Sequence, residues 1–246
     1  MSDGLDLAGR IALVTGASGG IGSAICRRLA SDVAGLAVAY GSNAEPAEAL
    51  AAEIVSGGGT ARAFRSDMAD PDAPEQLIAD VEAALGPIDI LVANHGFARQ
   101  ARYEDVDAAT FDHTLAVNLR APFLLARRAL PGMRERGFGR VLFISSVAAF
   151  RGGVIGPDYA SSKAGLHGLA HFLASRVAAD GVTVNVLAPG FVETAMLPGD
   201  AQQLAKTMPI GRVGSPEEVA DLALAVLRNG YITSQVFSID GGMYPR

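Results

Sequence analysis

An apolar run, Arg10-Ile-Ala-Leu-Val-Thr15, opens directly into Gly16-Ala17-Ser18-Gly19-Gly20-Ile21-Gly22, and a helix-compatible stretch from Ser23 to Ala30 follows. This succession constrains the fold more than any other part of the chain. Strand, glycine-rich turn and helix in that order are the context a dinucleotide fingerprint requires. Gly16 permits the tight turn, while Gly20 and Gly22 let the backbone approach a pyrophosphate and let the helix pack on the sheet. The helix then turns free N–H groups and the positive end of its dipole toward the phosphates. A glycine-rich turn by itself also suits an ordinary strand-to-helix loop; its position after the first strand favours the nucleotide reading.

The same alternation continues along the chain. Strands are predicted near 10–15, 35–40, 60–65, 88–93, 139–145, 181–187 and 235–239, with helices near 20–31, 44–56, 74–85, 110–136, 158–180 and 216–228. Short β-rich runs alternating with helices predict an α/β architecture, a doubly wound, seven-stranded parallel sheet covered by helices on both faces. Pro122 and Pro131 are expected to kink or shorten the helix over 110–136. No linker, low-complexity tract or solenoid repeat interrupts the 246 residues, so one domain over 1–246 is expected. In open α/β sheets ligands bind beyond the carboxyl ends of the strands. Thr15, Asn94, Ser146 and Pro189-Gly190 all fall at such ends, which predicts that they meet on one rim.

A second constellation adds chemistry to that rim. Tyr159 precedes Lys163 by four residues at the opening of a predicted helix, and Ser146 ends the fifth predicted strand. Residues i and i+4 share a helix face. A phenol ordinarily titrates near ~10 and is a poor acid or base at neutral pH. A neighbouring cation favours the phenolate and lowers that value, so a positioned Tyr can do general acid–base work. Ser146 can hydrogen-bond a substrate oxygen at the same place. Ser145 is the rival serine, and the spacing to Tyr159 favours Ser146.

Together these residues carry a resemblance that spans nearly the whole chain. The Thr-Gly-x-x-x-Gly-x-Gly turn at 15–22, Asp67, Ala93-Asn94-His95-Gly96, Asn118, Ser146, Tyr159 with Lys163, and Pro189-Gly190-Phe-Val-Glu-Thr194 resemble the short-chain dehydrogenase/reductase family in order and spacing. The likeness is strongest to its 3-oxoacyl carrier-protein reductases, from Gly-Arg-Ile-Ala-Leu-Val-Thr to Asp240-Gly-Gly-Met. The resemblance implies a Rossmann-type fold and an NAD(P)-dependent enzyme. It implies that Tyr159 donates a proton to a carbonyl oxygen, that Lys163 lowers its pKa and binds the nicotinamide ribose, that Ser146 orients the carbonyl, and that Asn118 holds a relay water. Gly16, Ser18, Gly19, Gly20, Ile21, Gly22, Tyr40, Ser42, Asp67, Met68, Asn94, Gly96, Val192 and Thr194, with Tyr159 and Lys163, would then line the cofactor. Asp67 and Met68 would flank the adenine, although Asp67 could instead cap a turn. Asn94 would sit by the ribose or the first turn. The family's Asn-Asn-Ala-Gly reads Ala93-Asn94-His95-Gly96 here, so a histidine enters, read as structural.

Composition narrows the field further. Half the residues are hydrophobic, but no run approaches the roughly 20 apolar residues of a membrane span. The first residues show neither a basic nor an apolar signal region, and Cys26 is the only cysteine, so a reducing, cytoplasmic setting is expected. Cys26 reads as a small buried residue. The net charge of −6 argues against a nucleic-acid partner. The best basic cluster, Arg127, Arg128, Arg134, Arg136 and Arg140, reads as a solvated face, with local docking of an acidic carrier protein still open. His113, His167 and His171 form no metal-like set, and no metal is expected.

Strand 2 ends Ala39-Tyr40-Gly41-Ser42-Asn43 without the acid that favours NAD, which leaves room for a 2′-phosphate. Gly19 stands where NADP-preferring relatives often carry Arg, so the signals conflict, and NADP(H) is favoured over NAD(H). The substrate loop after strand 6 is short, with Met196, Leu197 and Leu204 suited to a modest apolar substrate and Arg99 and Arg102 near the mouth. A basic position that helps the resembling reductases dock their carrier appears as Asp180. The expected activity is reduction of a ketone, a 3-oxoacyl thioester on a carrier protein or CoA. The alternatives are a dehydrogenase of a secondary alcohol or sugar and a non-catalytic nucleotide-binding regulator. The resemblance also implies a homotetramer, with Ala164, Gly165, Gly168 and Ala170 permitting close approach of helices.

Overall fold

The computed structural model describes residues 6–244. Seven parallel strands form one sheet: β1 (Ile11–Thr15), β2 (Gly35–Tyr40), β3 (Ala61–Arg65), β4 (Ile88–Ala93), β5 (Gly139–Ile144), β6 (Val182–Pro189) and β7 (Val236–Ile239). Their spatial order is β3-β2-β1-β4-β5-β6-β7. β1, β4, β5 and β6 are buried at every residue, which is why they read as unbroken apolar runs rather than alternating ones. The edge strands β3 and β7 are only partly buried.

Helices cover both faces. On one face α1 (Gly20–Leu29), α2 (Ala44–Ser56) and α9 (Pro216–Arg228) pack a core through Ile25, Leu29, Leu50, Ile54, Val219 and Leu227. On the other, α3 (Ala73–Leu85), α5 (Ala121–Glu135) and α7 (Pro157–Val177) pack through Leu77, Ile78, Leu125, Leu130, Leu166 and Leu173. Three shorter helices, α4 (Ala108–Leu115), α6 (Ala148–Arg151) and α8 (Ala201–Ala205), lie in connections at the carboxyl rim. The chain runs outward from β1 to β3, then returns to the other side of β1 with β4. That reversal opens the crevice in which such sheets bind ligands.

The helix expected over 110–136 departs from the prediction. It comprises α4, a π-helical turn at Ala116–Arg120 and α5. Neither proline ends it. Pro122 lies in the first turn of α5, where a missing N–H costs little, and Pro131 lies inside α5, which continues to Glu135. The irregularity falls just before Pro122, as the wide turn.

The arginine cluster is not a free basic patch. Arg127 pairs with Glu75, Arg128 with Glu82 at 3.0 Å, Arg134 with Asp180 at 2.6 Å and Arg136 with Asp89 at 3.1 Å. Arg140 is buried and donates to the carbonyls of Leu227, Gly139 and Gly181. Of the small residues expected to admit a neighbouring helix, Ala170 is fully buried in the core. A Cβ on Gly165 would stand 2.6 Å from Leu119 Cδ2, so this glycine serves packing within the chain, whereas Gly168 faces open space. Cys26 is fully buried in α1, and burial pushes its thiol up. Among the described residues no helix is long and apolar enough to cross a membrane.

Candidate active site

The carboxyl rim holds a cavity of about 700 Å³. Every residue expected to meet a cofactor lines it except Gly22, and Ser146, Tyr159 and Lys163 line it as well. Asn118 and Gly22 lie behind its wall.

Gly16 turns the chain at the end of β1 with a φ of +63°, and a Cβ there would stand 2.8 Å from the His95 backbone. A Cβ on Gly22 would meet the Gly16 carbonyl oxygen at 2.3 Å and Asn94 Nδ2 at 2.6 Å. Gly22 therefore seats α1 beneath the turn rather than facing the cavity, which corrects its expected cofactor contact. Asn94 occupies the second of its two expected places: its Nδ2 donates to the carbonyls of Thr15 and Gly16, each at 3.1 Å. Asp67 makes the turn contact weighed for it and also faces the cavity. Its Oδ1 accepts from Ala69 N at 3.0 Å, and it lines the cavity beside the buried Met68. Thr194 abuts Gly20, where a Cβ would come within 2.7 Å of its Cγ2.

The turn suits a pyrophosphate. α1 starts at Gly20 with no side-chain cap, as α2, α3 and α7 do, but its start is the glycine turn that lines the cavity. The first N–H groups of a helix need partners from outside it, and those of α1 face a glycine-walled cavity that no side chain fills. A diphosphate supplies such partners and the negative charge the helix end favours.

The fifth strand delivers two serines with separate tasks. Ser145 is buried; its Oγ donates to the Lys163 carbonyl at 2.9 Å and meets His167 Nε2 at 2.9 Å. Ser146 is turned toward the cavity beside Tyr159, where it favours the phenolate, and its Oγ accepts from Ala148 N at 3.2 Å. α7 carries Tyr159 and Lys163 on one buried face, and Asp158 holds its first turn to α4 by accepting from Thr114 Oγ1 at 2.6 Å.

Lys163 departs from its expected effect on Tyr159. Its Nζ donates to the Ile144 carbonyl at 2.9 Å and stands 5.9 Å from the Tyr159 ring centroid. Burial raises the Tyr159 pKa, with Ser146 pulling the other way. In this arrangement the phenol is thus held neutral, not lowered toward phenolate. Burial pulls Lys163 itself down from 10.5 to about 8.

Asn118 lies in the π-turn, fully buried. Its Oδ1 accepts from Phe97 N at 2.7 Å, and its Nδ2 donates to the Phe97 carbonyl at 2.9 Å and Ser162 Oγ at 3.1 Å. The side chain is committed to protein through all three of these bonds. His95 is held by protein groups on both sides of its ring. It is buried between Thr15 Oγ1 at 2.6 Å and the Val117 carbonyl at 3.0 Å, and burial with the nearby Lys163 charge pulls its pKa down to about 3.

The remaining wall is apolar, with Phe97, Val154, Ile155, Phe191, Met196 and Tyr244 among its residues. Of the substrate-loop residues named from sequence, Met196 and Leu197 line the cavity, while Leu204 lies on α8 away from it. Arg99 and Arg102 do not line it, and Arg102 pairs with Glu104 at 3.1 Å. Met243 and Tyr244 reach the wall from beyond β7 and were not foreseen. The only sequence signal of their place is that they follow a strand ending on this rim. Among the described residues no group of three or more His, Cys, Asp or Glu is placed to hold a metal ion.

Comparison with known proteins agrees with this geometry. Residues 10–205 match the family model described as short chain dehydrogenase. The chain is 38% identical over 247 residues to an acetoacetyl-CoA reductase of Allochromatium vinosum, covering 96% of this chain and 98% of that one. It is 35% identical over 241 residues to a 3-oxoacyl-[acyl-carrier-protein] reductase of Synechocystis sp., with coverages of 96% and 98%. A short chain dehydrogenase from Burkholderia cenocepacia, solved in complex with NADP, superposes with a TM-score of 0.89 at 38% identity, covering 96% of this chain and 98% of that one. A doubly wound sheet, an uncapped glycine turn and a Ser–Tyr–Lys group on one cavity thus coincide with matches along most of the chain, and on both grounds it belongs to the short-chain dehydrogenase/reductase family of oxidoreductases.

Proposed function

We propose that this oxidoreductase reduces the ketone of a 3-oxoacyl thioester to the 3-hydroxyacyl product with NADP(H). The observation that carries the reading is the meeting of Ser146 and Tyr159 at an apolar wall of the cavity, with the buried Lys163 behind them. Gly16, Ser18, Gly19, Gly20 and Ile21 would hold the pyrophosphate, and Tyr40, Ser42, Asp67 and Met68 the adenosine end. The bound nicotinamide supplies the hydride. Ser146 donates a hydrogen bond to the ketone oxygen and fixes its direction. Tyr159, kept neutral by burial, has a proton to give to the oxygen as negative charge develops there. A neutral phenol fits reduction, since oxidation of an alcohol needs the phenolate first. Lys163 adds positive charge behind the site while it remains an ammonium.

Two features refine the reading. The cavity beyond β2 is lined by Tyr40, Gly41, Ser42 and Asn43, none of them acidic, so a 2′-phosphate meets no repulsion from that loop. Arg134 is neutralised by Asp180, and Arg127 and Arg128 by Glu75 and Glu82. That leaves little positive field on this face to attract an acidic carrier, which supports a CoA-linked substrate.

Initial rates of NADPH and NADH oxidation with acetoacetyl-CoA test the proposal. Saturable turnover that favours NADPH is the expected result. Turnover confined to secondary alcohols or sugars with an oxidised cofactor would replace it with the dehydrogenase reading.

A further inference from the structure

The π-turn before α5 creates a local hydrogen-bonding problem, and His95 answers it. In a regular helix the Val117 carbonyl would accept from the N–H of Ala121. Here the Ala121 N–H goes to the Ala116 carbonyl, one residue further back. The next residue along is Pro122, which has no N–H to give. The wide turn and the proline together leave the Val117 carbonyl without a backbone donor. His95 Nε2 lies 3.0 Å from it. A carbonyl only accepts, so Nε2 carries the hydrogen and Nδ1 is the acceptor in the neutral ring. The other side of the ring agrees. Thr15 Oγ1 already accepts from Asn94 N at 3.1 Å and His95 N at 3.4 Å, and its one hydrogen has two acceptors within reach, the Val92 carbonyl at 3.4 Å and His95 Nδ1 at 2.6 Å, of which the nearer is His95 Nδ1.

The consequence reaches Lys163. His95, Gly96 and Phe97 form one short segment, and the π-turn grips it at both ends: His95 through Val117, and Phe97 through the Asn118 amide. Gly96 between them lies beside the Lys163 Nζ, close enough that an added Cβ would be in ordinary contact with it. A Cβ at Gly96 would stand 3.4 Å from Lys163 Nζ and 3.5 Å from Asn118 Oδ1.

We propose that His95 is a positioning residue: its Nε2–H holds the Val117 carbonyl, and so fixes the π-turn that sets Asn118 and Gly96 against Lys163. It lines the cavity, but both its ring nitrogens are engaged by protein, so it acts through the turn. The inference rests on the reductase reading for its kinetic test.

The geometry names its own variants. The Nε2 of a glutamine reaches about as far from the backbone as the Nε2 of histidine, whereas asparagine reaches only as far as Nδ1. The measurement is kcat per site for acetoacetyl-CoA, with sites counted by NADPH fluorescence titration. His95→Gln is expected to keep kcat within about threefold of the parent, while His95→Asn and His95→Ala lose roughly ten- to a hundredfold, as small misplacements near a reacting centre do. KM values should move by less than about threefold in all three. A merely structural histidine would lower the melting temperature and the number of binding sites but leave kcat per site unchanged. Equal kcat in the Gln and Asn variants would overturn the proposal.

A second measurement does not depend on turnover. Imidazole nitrogen NMR of the unsubstituted protein, with His95 assigned by the signal missing from His95→Gln, should show the Nε2–H tautomer. An Nδ1–H tautomer would overturn the inference even if the enzyme were fully active. Absence of any carbonyl reduction by the unsubstituted protein would instead sink the reductase reading and leave the tautomer to decide the placement of His95.

Discussion

At the scale of single residues the site works by controlling which groups carry protons. Tyr159 is held neutral by burial and Lys163 is pulled down to about 8. Tyr159→Phe removes the only proton that the pair can give to a ketone, and should reduce turnover by at least about a thousandfold. Cofactor affinity, measured by fluorescence titration, should change little, because the glycine turn is untouched. Lys163 sets the alkaline side. Its ammonium is present below about 8 and is lost as pH rises through that value, well before an exposed lysine would respond. The reductive rate should therefore fall above about pH 8, and a profile flat to pH 10 would exclude a role for the charge. His95 sets an acid limit on stability. Its folded pKa is lowered to about 3, so between about 3 and the ordinary 6.5 the unfolded chain binds a proton that the folded chain does not. Stability from this group is intact above 6.5 and falls as pH drops, by about 1.4 kcal/mol per pH unit in that window. Urea midpoints measured across pH 4 to 7 should show a shallower slope in His95→Gln than in the parent.

At the scale of elements, what could be read in advance depended on what burial imposes on the sequence. β1, β4, β5 and β6 are buried throughout and appear as plain apolar runs. The glycine turn was legible because its steric demands select one residue type: no Cβ fits at Gly16 or Gly22. The π-turn was not legible. It inserts one residue into the hydrogen-bond ladder between α4 and α5 while the apolar pattern on both sides still reads as a helix. Pro122 and Asn118 were visible, but their joint meaning depends on His95, which is distant in sequence. The same logic gives a prediction for this element. Pro122→Ala supplies a new N–H that the Val117 carbonyl could accept in the wide register or the Asn118 carbonyl in the regular one, and so removes the constraint against closing the wide turn into regular α-helix. The melting temperature should hold or rise, since a helix-favouring residue replaces a proline in a buried helix. Turnover should fall, because the regular turn would withdraw Asn118 from Phe97 and loosen the backing of Lys163. A variant with unchanged kcat would show that the wide turn is incidental to the chemistry.

At the scale of the whole molecule, the cavity is assembled from segments spread between Gly16 and Tyr244. The convergence of β1, β4, β5 and β6 on one rim followed from their being parallel and from the reversal between β1 and β4, so it could be argued before any coordinates. The return of the chain end could not: Met243 closes the Asp240-Gly-Gly-Met stretch that carries part of the resemblance, but nothing in that stretch says that it and Tyr244 turn back onto the cavity. Asp240 makes that position definite. Its Oδ1 accepts from Gly242 N at 3.0 Å and its Oδ2 from Tyr244 N at 3.1 Å. Gly241 and Gly242 take φ values of +61° and +83°, which lets the chain turn back sharply enough for one carboxylate to hold both N–H groups. Tyr244 then lies under Arg151, whose guanidinium carbon is 5.0 Å from the ring centroid, beside the β5-to-α7 connection that presents Ser146. The tail is thus a wall of the substrate end, held by two charge-assisted bonds and one stacking contact. Asp240→Ala removes both bonds, each worth about 1.5–3 kcal/mol to a charged acceptor, and leaves the tail to order itself only when substrate arrives. That ordering cost should appear as a KM for the acyl substrate raised by roughly tenfold, with NADPH affinity unchanged because the glycine turn lies at the other end of the cavity. Steady-state kinetics with acyl chains of increasing length would show the effect most clearly. Relief of the wall should favour the longer chains, whereas an equal loss for every chain length would mean that Asp240 matters only for folding the end of the sheet.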